Sequence, residues 1–263
     1  METVRQPAVA GQFYPRRPDE LIEMVNGYIK EAADVTGPVP KAIIAPHAGY
    51  IYSGPVAGSA YARLAQANGA VKRVVLLGPS HWANIRGLAT SNADSFATPL
   101  GRIPLDKAGL KEALAYRQVE ISDQAHSREH SLEVHLPFLQ IIFSDFKLVP
   151  LVVGSPPEAE VAEVLAALWG GPETVVVISS DLSHYHSYAE AVALDKITSE
   201  NIESLRPVTE GQACGRRAIN GLLHLAREKK LQGRTVDLRN SGDTAGPRDR
   251  VVGYGAYIFW SPD

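Results

Sequence analysis

The fold is decided by residues 174–186, which read Thr-Val-Val-Val-Ile-Ser-Ser-Asp-Leu-Ser-His-Tyr-His. The four consecutive β-branched apolar residues from Val175 to Ile178 are typical of a strand buried on both faces, the usual state of a central parallel strand. Such strands are commonly bounded by Gly, Asn or Pro. This one instead ends at an acid and two histidines, with small hydroxyl residues between them. The stretch therefore predicts a central strand that carries titratable side chains at its carboxyl end.

Two other stretches share this pattern of a buried strand followed by a histidine. Residues 42–47 read Ala-Ile-Ile-Ala-Pro-His, and residues 74–81 read Val-Val-Leu-Leu-Gly-Pro-Ser-His. The ligands of open parallel sheets bind beyond the carboxyl ends of the strands, so we expect His47, His81 and His184 to share one site. One such histidine alone would more simply satisfy backbone groups at a strand end. Three on matching strands favour a functional site.

The rest of the chain alternates between strands and helices, as βαβ units do. Helices are predicted over residues 18–32, 56–67, 106–114, 158–169, 188–205 and 211–229. Further strands are expected over residues 87–91, 148–153, 235–238 and 251–259. No internal repeat or linker divides the sequence. It predicts an α/β fold with a single domain over residues 1–263, in which helices flank a central, mostly parallel sheet.

Composition narrows the class of protein. The 263 residues include 45% apolar and 21% charged residues, which is ordinary for a soluble globular chain. A net charge of −3 gives no electrostatic footprint for nucleic acid or an anionic membrane. Apolar runs stop at about ten residues, too short for a bilayer span, and the first residues lack a signal-peptide pattern. With one cysteine and therefore no internal disulfide, we expect a cytoplasmic protein.

Asp181 and His184 are three residues apart at the end of the central strand. If Asp181 begins the next helix, the two side chains lie close together over its first turn. A carboxylate beside an imidazole holds one tautomer and raises its basicity, which suits general acid–base catalysis. The alternative is an N-cap aspartate with a histidine that faces solvent. The pattern favours Asp181 and His184 as catalytic residues.

A second histidine cluster lies in residues 126–138, where His130 and Glu133 would share one helical face. The spacing matches neither a zincin motif nor its inverse, and Pro137 would kink a helix running through it. A metalloprotease is therefore disfavoured. We expect His130, Glu133 and His135 to line the wall of the main site and to bind substrate.

One further residue could contribute to a metal site. Asp243 lies in the loop between the last two strands, and could supply the carboxylate that two histidines need for a facial iron site. A turn aspartate that bonds its own backbone is an equally good interpretation. Cys214 is interpreted as a small buried residue near the start of a helix.

Several motifs, taken together and in this order, resemble the Memo family, whose microbial members are also called AmmeMemoRadiSam system protein B. The motifs span nearly the whole chain and are Gly11-Gln12-Phe13-Tyr14-Pro15, Ala45-Pro46-His47-Ala48-Gly49-Tyr50, Gly78-Pro79-Ser80-His81, Glu129-His130-Ser131-Leu132-Glu133-Val134-His135-Leu136-Pro137, Ser180-Asp181-Leu182-Ser183-His184 and Asn240-Ser241-Gly242-Asp243-Thr244. The resemblance implies a fold similar to that of class III extradiol (LigB-like) dioxygenases, which use non-haem iron(II).

The resemblance also implies roles for individual residues. His47 and His81 would be metal ligands, and His184 would be an acid–base histidine. Animal members bind iron or copper through two histidines and a cysteine of the final loop. Residues 241–245, the corresponding loop here, contain no cysteine. The expected metal ligands are therefore His47, His81 and Asp243, with iron(II) as the metal and copper as the alternative.

Two functions are compatible with these residues. The first is a non-haem iron, dioxygen-dependent oxidoreductase that acts on a small, phenolic substrate. The second is a non-catalytic protein that binds a metal or peptide on a dioxygenase-like scaffold, because a shared fold does not assure a shared reaction. The microbial family name further implies a pathway shared with a radical-SAM enzyme and an AMMECR-type protein.

Overall fold

A computed structural model describes residues 2–32 and 36–262 of the chain, within the predicted range 1–263. The strands in chain order are β1 (Val4–Arg5), β2 (Ala42–Ala45), β3 (Arg73–Pro79), β4 (Leu88–Thr90), β5 (Ser95–Thr98), β6 (Gly101–Pro104), β7 (Val119–Ile121), β8 (Lys147–Val153), β9 (Thr174–Ser179), β10 (His184–His186), β11 (Gln232–Asn240) and β12 (Val251–Trp260). The helices are α1 (Pro18–Lys30), α2 (Tyr50–Leu64), α3 (Lys107–Ala113), α4 (Asp123–Ser127), α5 (Leu136–Ile142), α6 (Glu158–Ala167), α7 (Tyr188–Glu203) and α8 (Arg216–Glu228). Short 3-10 segments cover Ala65–Ala67, Glu133–His135 and Ser241–Asp243.

Four parallel strands form the centre of the main sheet, in the order β2-β9-β3-β8. Every residue of β9 is buried, as its run of β-branched side chains predicts. Ala45 pairs with Ser179 and Leu77 with Ile178, so β2, β9 and β3 end at the same level. This register brings the residues that follow the three strands to one edge of the sheet.

Antiparallel strands extend this centre on both sides. On one side β12 pairs with β2, β10 and β11, and on the other β4 pairs with β8, while β7 lies parallel to β4. Helices α1, α2 and α5 contact one another, and α3 and α8 contact α6. The predicted α/β fold class with a central sheet flanked by helices is confirmed, and the complete sheet is mixed. Strands β1, β5 and β6 form a separate small sheet.

Helix α2 begins at Tyr50, six residues before the predicted start at 56, and so includes Pro55. Proline has no N–H group, so the helix loses the bond to the carbonyl group of Ile51. Ile51 is 55% exposed, so water can donate a hydrogen bond to its carbonyl group. The proline is therefore tolerated, and most of the residues between His47 and the predicted start of the helix are helical. Among the described residues, no helix combines the length and apolar character that a membrane crossing requires.

Candidate metal centre

Imidazole rings meet at the carboxyl edge of the three central strands. His47 follows β2, His81 follows β3, and Asp181 follows β9. The ring centroids of His47 and His81 are 5.3 Å apart. His130 stacks on His81 with centroids 4.7 Å apart, and lies 5.5 Å from His47. The sequence prediction that strand ends distant in the chain share one site agrees with this geometry.

His47 is oriented by a chain of hydrogen bonds beneath the sheet edge. The Ser179 hydroxyl donates its proton to the carbonyl oxygen of Ser131 at 2.6 Å. Because that proton is used, Ser179 Oγ can only accept from His47 Nδ1, which lies 2.6 Å away. His47 Nε2 therefore carries the lone pair, and burial lowers the pKa of His47. A neutral imidazole held in this way is suited to metal binding.

His81 is oriented by the buried carboxylate of Glu129. Nδ1 of His81 donates to Glu129 Oε1 at 2.8 Å, and the His81 backbone N–H donates to Oε2 at 2.6 Å. Burial raises the pKa of Glu129, but hydrogen bonds from His81 and from the Ser131 backbone outweigh it and lower that pKa to about 2. The carboxylate is thus ionised and accepts only. It leaves His81 Nε2 free, as in the carboxylate–histidine pairs of metal sites.

Cys214 supplies a third donor atom beside these two rings. Its Sγ is 3.4 Å from His47 Nε2, and the potential ligand atoms of His47, His81 and Cys214 all lie within 4.8 Å of one another. Burial, followed by the nearby Asp181 carboxylate, raises the pKa of Cys214 to about 12. The thiol is therefore protonated at neutral pH, and a metal ion at this position would have to displace its proton.

The backbone after Cys214 explains how the thiol reaches this edge. A side chain at Gly215 would place its Cβ 2.5 Å from the carbonyl oxygen of Ser179, so only glycine permits this approach to the end of β9. Helix α8 begins after this turn, at Arg216, and not at 211 as predicted. Cys214 thus precedes the helix, and its interpretation as a helix residue is corrected.

Asp243 lies outside this cluster. Its carboxylate accepts from the Tyr188 hydroxyl at 2.6 Å and from the Asn240 backbone N–H at 3.0 Å. It also lies 3.8 Å from Arg248. These contacts match the alternative interpretation, a turn aspartate that bonds its own backbone. In the described part of the chain, Asp243 belongs to neither group of potential metal donors, and the third position is filled by Cys214.

A second group of potential donors consists of His81, Glu129 and His130. These three side chains lie close together because His81 Nδ1 donates a hydrogen bond to Glu129. His130 Nδ1 lies 3.6 Å from the same carboxylate. These atoms already satisfy one another. The group of His47, His81 and Cys214 is therefore the better candidate for a metal.

His184 reaches the same site from β10. Its Nδ1 donates to the carbonyl oxygen of Leu182 at 2.8 Å, which leaves Nε2 as the proton acceptor. The sequence predicted that Asp181 would hold the tautomer of His184. In the structure the Leu182 carbonyl group does so instead. Asp181 Oδ1 accepts the backbone N–H of His47 at 2.8 Å, and Oδ2 lies 4.0 Å from His47 Nε2. Burial raises the pKa of Asp181.

The local backbone explains this difference. After Asp181 the chain forms the short strand β10 instead of a helix. Helix α7 starts only at Tyr188, where Ser187 and Glu190 form a capping box. Asp181 is therefore not an N-cap. It positions His47, whereas the prediction paired it with His184.

A cavity of about 530 Å³ opens above the cluster. Its lining includes the four histidines described above, Asp181 and Arg250, together with four aromatic side chains, namely Phe13, Tyr52, Tyr185 and Tyr254. Such a volume is suited to one small ligand. His130 therefore faces the cavity, as expected.

Glu133 and His135 do not line the cavity. Glu133 is fully buried, pairs with Arg5, and accepts hydrogen bonds from the backbone N–H groups of Ala8 and Val9 and from the Tyr14 hydroxyl. The prediction that both residues line the wall is corrected, because the 3-10 segment that contains them points them at the N-terminal residues and the core.

The environment of His135 is that of a core residue. Its Nδ1 is 2.8 Å from the Tyr61 hydroxyl. Burial lowers the pKa of His135 to about 3. A histidine in this state is neutral at physiological pH and contributes to packing.

Glu133 nevertheless shapes the cavity from below. It anchors the N-terminal segment, residues 8–14, through three donors, and accepts a fourth hydrogen bond from Arg5. Within this segment, the Phe13 ring lies 4.8 Å from the His130 ring, and the Phe13 carbonyl oxygen accepts the first N–H of α2 from Tyr50 at 2.7 Å. The segment is therefore one wall of the cavity. Only the folded structure reveals this role, because Glu133 is more than one hundred residues away in sequence.

Comparisons with known proteins agree with this architecture. Residues 5–258 match a family described as "Memo-like protein". The chain is 37% identical to a MEMO1 family protein of Ignicoccus hospitalis, with 98% of this chain and 99% of that one covered. It is also 37% identical to a MEMO1 family protein of Aquifex aeolicus, with 97% and 99% covered. A solved structure, uncharacterized protein JW3007 from Escherichia coli K12, shares the fold with a TM-score of 0.53 at 16% identity, over 84% of this chain and all of that one.

Proposed function

Because this chain belongs to the Memo-like protein family, we propose that it is a non-haem iron oxidoreductase that uses dioxygen on a small phenolic substrate. The observation that carries the proposal is the group of His47, His81 and Cys214, whose donor atoms lie within 4.8 Å of one another, and of which His47 and His81 also line a cavity. The family's resemblance to extradiol dioxygenases supports the reaction class.

The residues present fit a metal ion. Both imidazoles donate through Nδ1, to Ser179 and to Glu129, and so keep Nε2 free as a ligand. Two imidazoles and a thiolate suit iron and copper, both of which prefer nitrogen and sulfur donors to a shell of oxygen atoms. We propose iron(II), with copper as the alternative. When bound, iron(II) would supply the activation of dioxygen.

The chain's own residues would handle the proton of the substrate. His184 lines the cavity, and its Nδ1–H is held by the Leu182 carbonyl group. Nε2 is therefore free to accept a phenolic proton as a general base. Asp181 holds the backbone of His47 in place, and its carboxylate would stabilise positive charge on the neighbouring imidazoles.

The central test is spectroscopic. Protein loaded anaerobically with iron(II) and then exposed to nitric oxide, a surrogate for dioxygen, should give the electron paramagnetic resonance signal of an open iron site. The His47→Ala, His81→Ala double variant and the Cys214→Ser variant should lose iron and signal. Asp243→Asn should keep both, because Asp243 lies outside the cluster. Iron-containing protein without the signal would refute the proposal.

The second candidate is binding without turnover, favoured by the open mouth of the cavity, where Tyr185 is 64% exposed. A His184→Ala variant separates the two functions. Loss of turnover at unchanged iron content supports the enzyme. If no phenol in a broad panel is converted by the iron-loaded wild type, binding without turnover is the better account.

The family name implies a pathway shared with a radical-SAM enzyme and an AMMECR-type protein, and this pathway stays a prediction. The cytoplasmic location is also a prediction.

A further inference from the structure

We propose that the substrate is an aromatic carboxylate, and that Arg250 at the mouth of the cavity binds its carboxylate group. The inference rests on the proposed function in that the cavity is taken as the substrate site, and it adds the chemical class that enters it.

Arg250 is the only lysine or arginine among the described residues that line the cavity. Within the described ranges it forms no ion pair with a carboxylate within 4.0 Å. The one acidic residue of the lining, Asp181, is 5% exposed and holds the backbone of His47. The mouth of the cavity therefore presents an unpaired positive charge, and an anionic ligand complements it.

The guanidinium group of Arg250 is placed by an unusual piece of backbone. Its Cζ lies 5.3 Å from the centre of the Tyr185 ring. Tyr185 has a φ of 64°, in the left-handed region that residues other than glycine rarely occupy. It is the extra residue of a β-bulge, since His184 pairs with Val252 while His186 pairs with the adjacent Val251.

Burial of the side chain does not offset this backbone strain, because Tyr185 is 64% exposed. Strained conformations concentrate at functional sites, and bulges re-aim side chains beside them. Here the bulge brings the Tyr185 ring to the cavity mouth, directly under Arg250. The pair forms one recognition element.

The shape of this element selects a planar anion. Arg250 makes a cation–π contact with the Tyr185 ring and no hydrogen bond to another described residue, so its planar set of N–H groups is available to a ligand. Two parallel N–H groups of that set match the two oxygens of a carboxylate. Phe13, Tyr52 and Tyr254 line the cavity below, and offer aromatic surfaces to a ring.

Arg248 provides a matched control two residues away. Its Cζ lies 4.6 Å from the Tyr188 ring, so it too is stacked on a tyrosine. Its Nε donates to the carbonyl oxygen of Gly242 at 3.2 Å, and Nη2 lies 3.8 Å from Asp243. Unlike Arg250, it is paired and does not line the cavity.

The test compares two ligands of the same shape that differ in charge. Binding of 4-hydroxybenzoate and of 4-hydroxybenzamide is measured by calorimetry on the full-length protein without added iron. We expect wild type to prefer the benzoate by roughly tenfold, the value of one charge-assisted contact. Arg250→Gln should abolish this preference and still bind the benzamide as wild type does. Arg248→Gln should keep the preference.

Four outcomes would overturn the inference. These are equal binding of the two ligands by wild type, an unchanged preference in Arg250→Gln, an equal loss in Arg248→Gln, and no binding of either ligand at millimolar concentration. Tighter binding of phenyl phosphate than of 4-hydroxybenzoate would show that the group bound by Arg250 is a phosphate and not a carboxylate.

The result is separable from that of the iron test. A preference that depends on Arg250, in protein without the nitric oxide signal, supports this inference and refutes the oxidoreductase. The nitric oxide signal without a preference for the benzoate supports the oxidoreductase and refutes the role of Arg250.

Discussion

Glu129 and Glu133 lie four residues apart in one segment, and both are 1% exposed, yet they serve different regions of the molecule. Glu129 accepts from the His81 side chain and from two backbone N–H groups at the candidate metal centre. Glu133 pairs with Arg5, whose positive charge is permanent, and anchors the N-terminal segment. Loss of the negative charge should therefore cost more stability at Glu133, which faces a fixed cation, than at Glu129, which also sets the orientation of the His81 imidazole.

The largest effect should come from Glu133→Gln. It leaves the Arg5 guanidinium, whose side chain is 7% exposed, without its negative partner. Removal of one member of a buried ion pair costs about 3–5 kcal/mol. Urea unfolding should show this loss in the free energy of unfolding. A loss below about 1 kcal/mol would contradict the contrast between the two glutamates.

The second effect is acid sensitivity from Glu129. Its pKa falls from 4.5 to about 2 on folding, so its contribution is complete above pH 4.5 and is lost as the pH falls towards 2. The shift corresponds to about 3 kcal/mol. The free energy of unfolding of Glu129→Gln should therefore depend less steeply on pH in this window than that of wild type. Parallel pH profiles would disprove the assignment.

The third effect is on metal affinity. In Glu129→Gln, the amide no longer offers an ionised acceptor to His81 Nδ1. Loss of such a partner typically weakens metal binding by roughly 10- to 100-fold, or about 1.4–2.8 kcal/mol. Competition with a chelator measures the affinity. Folded Glu133→Gln, stabilised with an osmolyte, is the control and should bind the metal as wild type does.

The smallest effect should come from Tyr14→Phe. It removes one of four donors to Glu133 and leaves the pair with Arg5 intact. The expected loss is about 1–1.5 kcal/mol in the free energy of unfolding. A cost as large as that of Glu133→Gln would mean that the hydroxyl, and not the cation, is the main support of the carboxylate.

Local patterns in the sequence were sufficient for much of this architecture. The run of β-branched residues in 174–178 identified the central strand, and the histidines that follow β2 and β3 were placed correctly because parallel strands end at one edge. The helix predicted over residues 106–114 was also correct, and Asp106 caps it, since its side chain accepts from the backbone N–H groups of Ala108 and Gly109. Each of these inferences depends on neighbours in the chain.

Two inferences about side chains with distant partners failed. Nothing near Cys214 indicates that it lies beside His47, which is 167 residues away, although the Cys-Gly pair permits a close approach. Glu133 reads as a site residue because it neighbours histidines, and only its contact with Arg5 shows otherwise. The sequence could not show which side of the segment faces the cavity, because the segment is a 3-10 turn with no regular helical face.

The anchored N-terminal segment, residues 8–14, separates two properties of the molecule. It contributes Phe13 to the cavity wall and contributes none of the donor atoms of the metal centre. Its attachment through Glu133 depends on the backbone N–H groups of Ala8 and Val9 and on the Tyr14 hydroxyl, so a change of the Phe13 side chain leaves that attachment in place. We expect substitution of Phe13 to change which compounds enter the cavity and to leave the donor atoms of the candidate metal centre intact, so that selectivity and reactivity can be engineered as independent modules.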